Sequence, residues 1–263
     1  MFKKHIPSKI VLCLALMFAL PSQIAGANSV NDDKLDQIIS LHGNGLTKEE
    51  LQKSISEISQ EQGLSEEKIT GQILQELQVN EMQQTEEPLR TTTSTKDKVQ
   101  LTEPNEVSPL SDSGSDGNYQ LNQSRKGTFF YQPAATLFLQ HGHIGMYYTK
   151  TTIIEAANPT DGVRSTSVAN RKVASGSRIM STNITTASQD ESAANWAYGK
   201  RGNGYNNNFA VNRSCGGPNY NCSQLVWCAF KQKANIDLDN NGGLGVYPTD
   251  IRDHKNVYDI KVY

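Results

Sequence analysis

The chain has 263 residues, a formal net charge of −2, 36% hydrophobic residues and four cysteines. It is long enough for one large or two small domains once a signal is removed. The cysteines are too few for a disulfide scaffold, and the absence of a dense basic run argues against a nucleic-acid partner.

The first 27 residues predict an export signal. Lys3, Lys4 and Lys9 precede an apolar run from Ile10 to Leu20, and Ala25-Gly26-Ala27 is typical of a cleavage site. The run is too short for a membrane span, and no later stretch reaches that length. We therefore expect a protein secreted or held in the cell envelope, with no transmembrane segment after cleavage.

The rest of the chain divides by charge. Residues 28–116 hold 18 acidic and 7 basic residues, net −11, whereas residues 117–263 hold 9 and 15, net +6. Residues 28–80 predict short acidic helices with too little apolar surface for a core of their own, and residues 81–117 predict a disordered linker. Either 28–80 is a pro-region that inhibits the basic domain, or it is a flexible acidic spacer.

Residues 118–263 have the pattern of an α+β domain with a small antiparallel sheet. Helices are expected from a capping box at Ser188 to Glu191, and from Asn221 to about Lys233 with Gln224 at the capping-box position. The predicted strands are 128–131, a hairpin of 143–148 and 152–157 around 149–151, and 257–262.

Two residues of this domain suggest chemistry. Cys222 opens a predicted helix, where unpaired amides and the positive end of the helix dipole favour a thiolate. His143 lies near the start of a strand with a glycine beside it, so the pair predicts a nucleophile and a base. The alternatives are a small buried cysteine and an ordinary core histidine. His141 and His254 are the competing bases.

Glu155 is the candidate for a third group that orients the base. A three-residue hairpin loop, 149–151, would set Glu155 opposite Gly145 and diagonal to His143 on one face of the sheet. A two-residue loop would send Glu155 to the other face. The alternative is a carboxylate at the sheet edge, in solvent.

The pairing of the remaining cysteines and a possible calcium site in an acidic turn are two further questions, and we expect no cofactor. Cys222 and Cys228 lie about 240° apart on one helix and should not bridge, whereas a bond between Cys215 and Cys228 is left open. Residues 237–242 resemble the first half of a calcium loop, but Pro248 stands where the bidentate acid is expected. A plain turn without a metal is therefore expected.

The motifs around these residues resemble the permuted branch of the NlpC-like papain-fold cysteine hydrolases, the YiiX type. The similar segments are Gly142 to Tyr148, Ile153 to Ala156, Gly162 to Arg164, Cys222 to Val226, 236–239 and 248–251. The resemblance implies a circularly permuted papain-like domain over 118–263, with Cys222 as nucleophile, His143 as base and Glu155 as the third residue. It covers nothing in 28–116.

Together these observations predict an exported cysteine peptidase or amidase that acts on peptidoglycan stem peptides or another cell-envelope amide. Tyr205, Tyr220 and Trp227 are expected to line its substrate groove. One alternative keeps the triad but acts on lipid amides or esters, as a hydrolase or acyltransferase. The other is a non-catalytic module that binds wall peptides.

Overall fold

The computed structural model of the protein describes residues 27–43, 45–85, 117–133 and 142–263. The predicted signal, except its last residue, and most of the predicted linker lie outside these ranges, as does His141. Within the described part of the chain, no helix is both long and apolar enough to cross a membrane.

Three helices form the amino-terminal part: Ala27–His42 (α1), Lys48–Gln62 (α2) and Glu66–Thr85 (α3). Thr47 and Glu50 form a capping box at the start of α2, and Gly63 ends that helix in the left-handed conformation. Helix α3 continues past residue 80, so the helical part is longer than the sequence pattern predicts.

An antiparallel six-stranded sheet forms the centre of the second part. Its strands are Phe129–Gln132 (β2), His143–Tyr147 (β3), Thr152–Ala156 (β4), Val163–Ser167 (β5), Arg178–Thr182 (β7) and Val257–Val262 (β10). They lie in the order β10-β7-β2-β3-β4-β5. Two short pairs flank it: Tyr119–Gln120 (β1) with Lys172–Val173 (β6), and Gly204–Tyr205 (β8) with Asn219–Tyr220 (β9). The predicted hairpin is therefore β3 and β4.

Three more helices complete the fold: Ala187–Tyr198 (α4), Cys222–Ala234 (α5) and Pro248–Arg252 (α6). The capping box of α5 is formed by Asn221 and Gln224, as predicted. That of α4 is formed by Thr186 and Gln189, so the predicted box at Ser188 is wrong by two residues. The result is an α+β architecture.

Two apolar clusters lie on opposite faces of the sheet. On one face, Phe129 packs edge-on against Phe230 of α5, with ring centroids 5.8 Å apart. The other face carries a smaller cluster that includes Phe130 and Tyr147. The larger cluster also takes in buried side chains of α1, α2 and α3: Leu35, Ile38, Leu51, Ile55, Ile69, Ile73 and Leu77. The amino-terminal helices therefore share the core of the sheet domain.

Candidate active site

Cys222 is the first residue of α5, and it is fully buried. The preceding residue, Asn221, caps the helix: its Oδ1 accepts a hydrogen bond of 2.9 Å from the backbone N–H of Gln224. Gln224 Oε1 in turn accepts from the Asn221 N–H at 3.2 Å. This cap fixes the start of the helix, where the helix dipole favours a negatively charged sulfur.

His143 and Glu155 meet across the β3–β4 hairpin. Met146 pairs with Ile154, a register that places Glu155 opposite Gly145, as the three-residue loop predicts. The two side chains are fully buried, and His143 Nε2 lies 2.9 Å from Glu155 Oε2. The alternative of a solvent-exposed edge carboxylate at 155 is therefore wrong.

Two arginines hold the same carboxylate. Arg171 Nη1 lies 3.1 Å from Glu155 Oε2. Arg164, directly opposite Glu155 on β5, donates to Oε1 from Nε and Nη2, each at 3.2 Å. Burial alone would raise the pKa of Glu155, but Arg171, the His143 hydrogen bond and Arg164 outweigh it and lower the pKa to about 2. Glu155 is therefore an anion at neutral pH.

The ionised carboxylate determines which histidine nitrogen can act as a base. An anion accepts hydrogen bonds and does not donate them, so Nε2 of His143 carries the proton and donates to Glu155. In the neutral ring, Nδ1 is then the nitrogen without a proton. It has no hydrogen-bond partner among the described residues. The arrangement is that of an oriented imidazole with one nitrogen available for proton transfer.

The structure does not form a hydrogen bond between Cys222 and this imidazole, since Nδ1 has no partner within the described part of the chain. His143 lies on the same face of the sheet as Phe130, and the centroids of these two rings are 6.0 Å apart. Helix α5 packs against the opposite face, where its Phe230 contacts Phe129. Each residue is the first of its element, β3 or α5, and these two elements pack together. The pairing of Cys222 with His143 stays a prediction.

Two glycines beside His143 permit close packing. A Cβ on Gly142, which has a φ of 75°, would lie 2.3 Å from the Tyr131 ring. A Cβ on Gly145 would lie 2.6 Å from the Phe130 ring and 3.1 Å from Glu155 Cβ. Both positions exclude larger side chains, because the Tyr131 ring packs against the backbone of Gly142 and the Phe130 ring packs against that of Gly145.

The three predicted groove residues lie in the core. Tyr220 is fully buried and its hydroxyl donates to the Cys215 carbonyl at 2.8 Å, while the buried Trp227 donates from Nε1 to Asp237 at 2.8 Å. Tyr205 is 8% exposed and lines a small cavity of about 220 Å³ beside α2. Their placement does not support a role in lining a substrate groove, because bulky aromatic side chains are buried readily in cores.

The sulfur pairing and the acidic turn are also defined. Cys215 and Cys228 form a disulfide, and Cys222 remains a thiol. The carboxylates of 237–242 face cations and donors of the chain itself: Asp237 contacts Lys231 at 3.0 Å, and Asp239 contacts Arg213. No group of three or more His, Cys, Asp or Glu side chains within the described ranges is arranged to hold a metal.

Sequence reasoning missed the two arginines around Glu155. Arg164 could have been found from the register, had β5 been predicted as the partner of β4. Arg171 follows a short 3₁₀ helix, Val168–Asn170, and precedes β6, so neither its spacing nor its neighbours signal a buried cation. His254, a competing base, instead accepts a 3.3 Å hydrogen bond from the Asn256 amide in the turn before β10.

Comparison with known proteins places the chain in a family. No protein-family model matches it. The uncharacterized protein YycO of Bacillus subtilis (strain 168) is 37% identical over 211 residues, which cover 79% of this chain and 78% of that protein. The chain belongs to the YycO family. The match to YycO is longer than residues 118–263, so it also takes in part of the chain before residue 118.

One solved structure is similar to this YycO-family protein. The crystal structure of the metalloprotein YiiX from Escherichia coli O157:H7, assigned to DUF1105, is 13% identical and covers 54% of this chain and 98% of its own, with a TM-score of 0.39. A likeness of this size supports no inference about a metal or an activity here. The chemistry must be argued from the residues themselves.

Proposed function

We propose that the protein is an exported cysteine hydrolase with a circularly permuted papain-like domain, and that it cleaves amide bonds in peptidoglycan stem peptides. The observation that carries this proposal is the buried His143–Glu155 pair, because the ionised carboxylate leaves Nδ1 as the basic nitrogen. Cys222 supplies the second part of the argument, as a thiol at the amino-terminal end of a helix.

The mechanism assigns one role to each residue. His143 Nδ1 takes the thiol proton while Cys222 Sγ attacks the amide carbonyl carbon. The imidazolium then protonates the leaving amine, and a thioester links the acyl group to Cys222. His143 next activates a water molecule, which releases the carboxylate product and restores the thiol. Glu155 stays ionised and orients the imidazole, and backbone amides of the first turn of α5 stabilise the oxyanion.

The substrate class follows from charge and export. Residues 117–263 carry a net charge of +6 within a chain that is net −5 over residues 28–263, so attraction to anionic polymers of the cell envelope would come from that part of the chain alone. The predicted signal would deliver the protein there. Peptidoglycan stem peptides are the envelope component that combines amide bonds with such a location.

The burial of the site favours a second candidate, a non-catalytic module that binds wall peptides. Cys222 and His143 are both fully buried, and a nucleophile must be reachable to react. In this second reading the histidine, Glu155 and the arginines form a purely structural ion cluster. Such buried charged clusters do occur for structural reasons.

Hydrolysis of purified peptidoglycan by residues 28–263 tests the first proposal. We expect release of new amino groups by the wild type, and none by Cys222→Ala or His143→Ala. His141→Ala is the matched control, two residues away on the same chain segment, and should retain activity. If His143→Ala retains hydrolytic activity and His141→Ala loses it, the general base is misassigned.

The remaining outcomes separate the other candidates. An absence of amine release together with fast alkylation of Cys222 by iodoacetamide would move the search to lipid amides or esters. An absence of release together with an unreactive Cys222 would support the binding module. Mass spectrometry of released fragments would identify the bond that is cut.

A further inference from the structure

The amino-terminal helices are hydrogen-bonded to two loops, 206–212 and 244–246, that lie beside the start of α5. The Glu76 carboxylate of α3 accepts from the backbone N–H of Leu244 at 2.8 Å and of Gly245 at 3.3 Å. A Cβ on Gly243 would lie 2.5 Å from Glu76 Oε2, so the loop wraps closely around this carboxylate. Burial raises the pKa of Glu76 above its usual value, and the hydrogen bonds from the Leu244 and Gly245 amides partly offset that rise.

The contact at Glu76 continues to the helix cap through Val246. Its N–H donates to Asn212 Oδ1 at 2.7 Å, and its carbonyl accepts from Asn212 Nδ2 at 2.8 Å and from Ser223 Oγ at 2.6 Å. Asn212 Nδ2 also donates to Asn221 Oδ1 at 3.1 Å. Glu76 is therefore joined to the cap of α5 through the backbone of 244–246 and the hydrogen bonds that Asn212 makes with Val246 and Asn221.

A second contact reaches the same cap from α1 and α2. His42 Nε2 accepts from the backbone N–H of Phe209 at 2.9 Å, and Ser54 Oγ accepts from Asn208 Nδ2 at 3.1 Å. The carbonyl of Asn208 then accepts from Asn221 Nδ2 at 3.4 Å. Both ends of the Asn221 amide are thus held by loops that the amino-terminal helices contact.

We infer that helices α1 to α3 position the amino-terminal end of α5, and that Glu76 is the residue of these helices on which this positioning chiefly depends. The inference rests on the proposed function in one respect, that Cys222, the residue after Asn221, is the nucleophile. It makes the amino-terminal part a permanent component of the active unit. The match to YycO, which extends before residue 118, fits a role that is kept with the domain.

This inference and the expectation that residues 28–80 inhibit the domain predict opposite changes in activity when the attachment of these helices is weakened. An inhibitory segment covers a site, and weakening its attachment raises activity. A positioning segment supports a site, and weakening its attachment lowers the rate of the chemical step while leaving substrate binding in place.

The test uses residues 28–263 with Glu76→Ala, and Glu67→Ala as the matched control. The Glu67→Ala substitution removes the same type of side chain from the same helix. The side chain of Glu67 is 75% exposed, and within the described residues it forms an ion pair with Lys34 alone. Hydrogen exchange of peptides covering 206–212, 221–224 and 244–246 should be about tenfold faster in Glu76→Ala than in the control, because buried hydrogen bonds that restrain local opening are lost.

Glu76→Gln is the conservative variant, since its amide oxygen can still accept from Leu244. It should restore most of the protection, and it keeps the test valid if Glu76→Ala fails to fold. Unchanged exchange around Asn221 in both variants would overturn the inference, and so would faster exchange spread evenly over the whole chain.

Kinetics on peptidoglycan gives the second readout. The Glu76→Ala variant should lose about tenfold in kcat with KM little changed, with recovery in Glu76→Gln. A rise in kcat would overturn positioning in favour of inhibition. Local loss of protection in a chain that hydrolyses nothing in any form would keep the structural inference and reject the proposed function, so the two failures are distinguishable.

Discussion

Replacing Glu155 with glutamine tests the buried charge cluster directly. The structure places this fully buried carboxylate against Arg171, His143 and Arg164. At about 1.4 kcal/mol for each tenfold change in the acid dissociation constant, a pKa of about 2 instead of 4.5 corresponds to roughly 3 kcal/mol in favour of the ionised form. Glutamine removes that charge and with it the ion pair that the buried Arg171 guanidinium makes with Glu155.

We therefore expect Glu155→Gln to lower the free energy of unfolding at pH 7 by about 3 to 5 kcal/mol, the usual cost of breaking a buried ion pair from one side. Urea denaturation followed by circular dichroism measures this difference. Arg171→Met and the double variant complete a double-mutant cycle. Because the double variant removes both charges of the Arg171–Glu155 pair together, it should be less destabilised than the sum of the single variants, by about 1 to 3 kcal/mol.

The pH dependence supplies an independent check. The folded pKa of Glu155 is lowered, so its contribution to stability is fully present above about pH 4.5 and is lost as the pH falls toward 2. The difference between wild type and Glu155→Gln should accordingly shrink over that interval. A cost below about 1 kcal/mol at pH 7, or strict additivity in the cycle, would refute the assignment of Glu155 as an ion held by the arginines.

Three further variants probe other features. Gly145→Ala should destabilise the fold by about 1 to 3 kcal/mol, because its Cβ would lie 2.6 Å from the buried Phe130 ring, and a lower melting temperature would show this. Burial and nearby carboxylates raise the pKa of Asp250 to about 7, so stability should fall as the pH rises from 4 to 7, and Asp250→Asn should flatten that slope in denaturation curves. Paired serine replacements at Cys215 and Cys228 should cost about 2 to 4 kcal/mol in chemical denaturation.

The sequence pattern predicts the local elements of the domain better than their assembly. The β3–β4 hairpin and its register follow from strand alternation and a three-residue loop, and they correctly place Glu155 beside His143. The cap at Asn221 follows from the side-chain types at the start of α5. These features are predictable because they depend on residues close together in the chain.

The features that the sequence analysis did not predict depend on contacts between segments that are distant in the chain. Arg171 reaches Glu155 from 16 positions away, after a turn that no periodicity marks. Glu76 meets Leu244 across 168 positions. Aromatic side chains near Cys222 in sequence suggest a groove, yet Tyr220 and Trp227 complete the core instead. Long-range packing decides these placements, and a single sequence does not record it.

The two cysteines of α5 require opposite redox conditions during purification and storage. Proteins that contain a thiol are commonly kept in reductant so that the sulfur does not oxidise. Here the same helix carries Cys222 as a thiol and Cys228 in a disulfide with Cys215. A strong dithiol reductant would protect the first and open the second, which removes the covalent link between the loop at Cys215 and the helix that follows it. Storage in strong reductant can thus alter the structure around α5 in a chain whose sequence is unchanged.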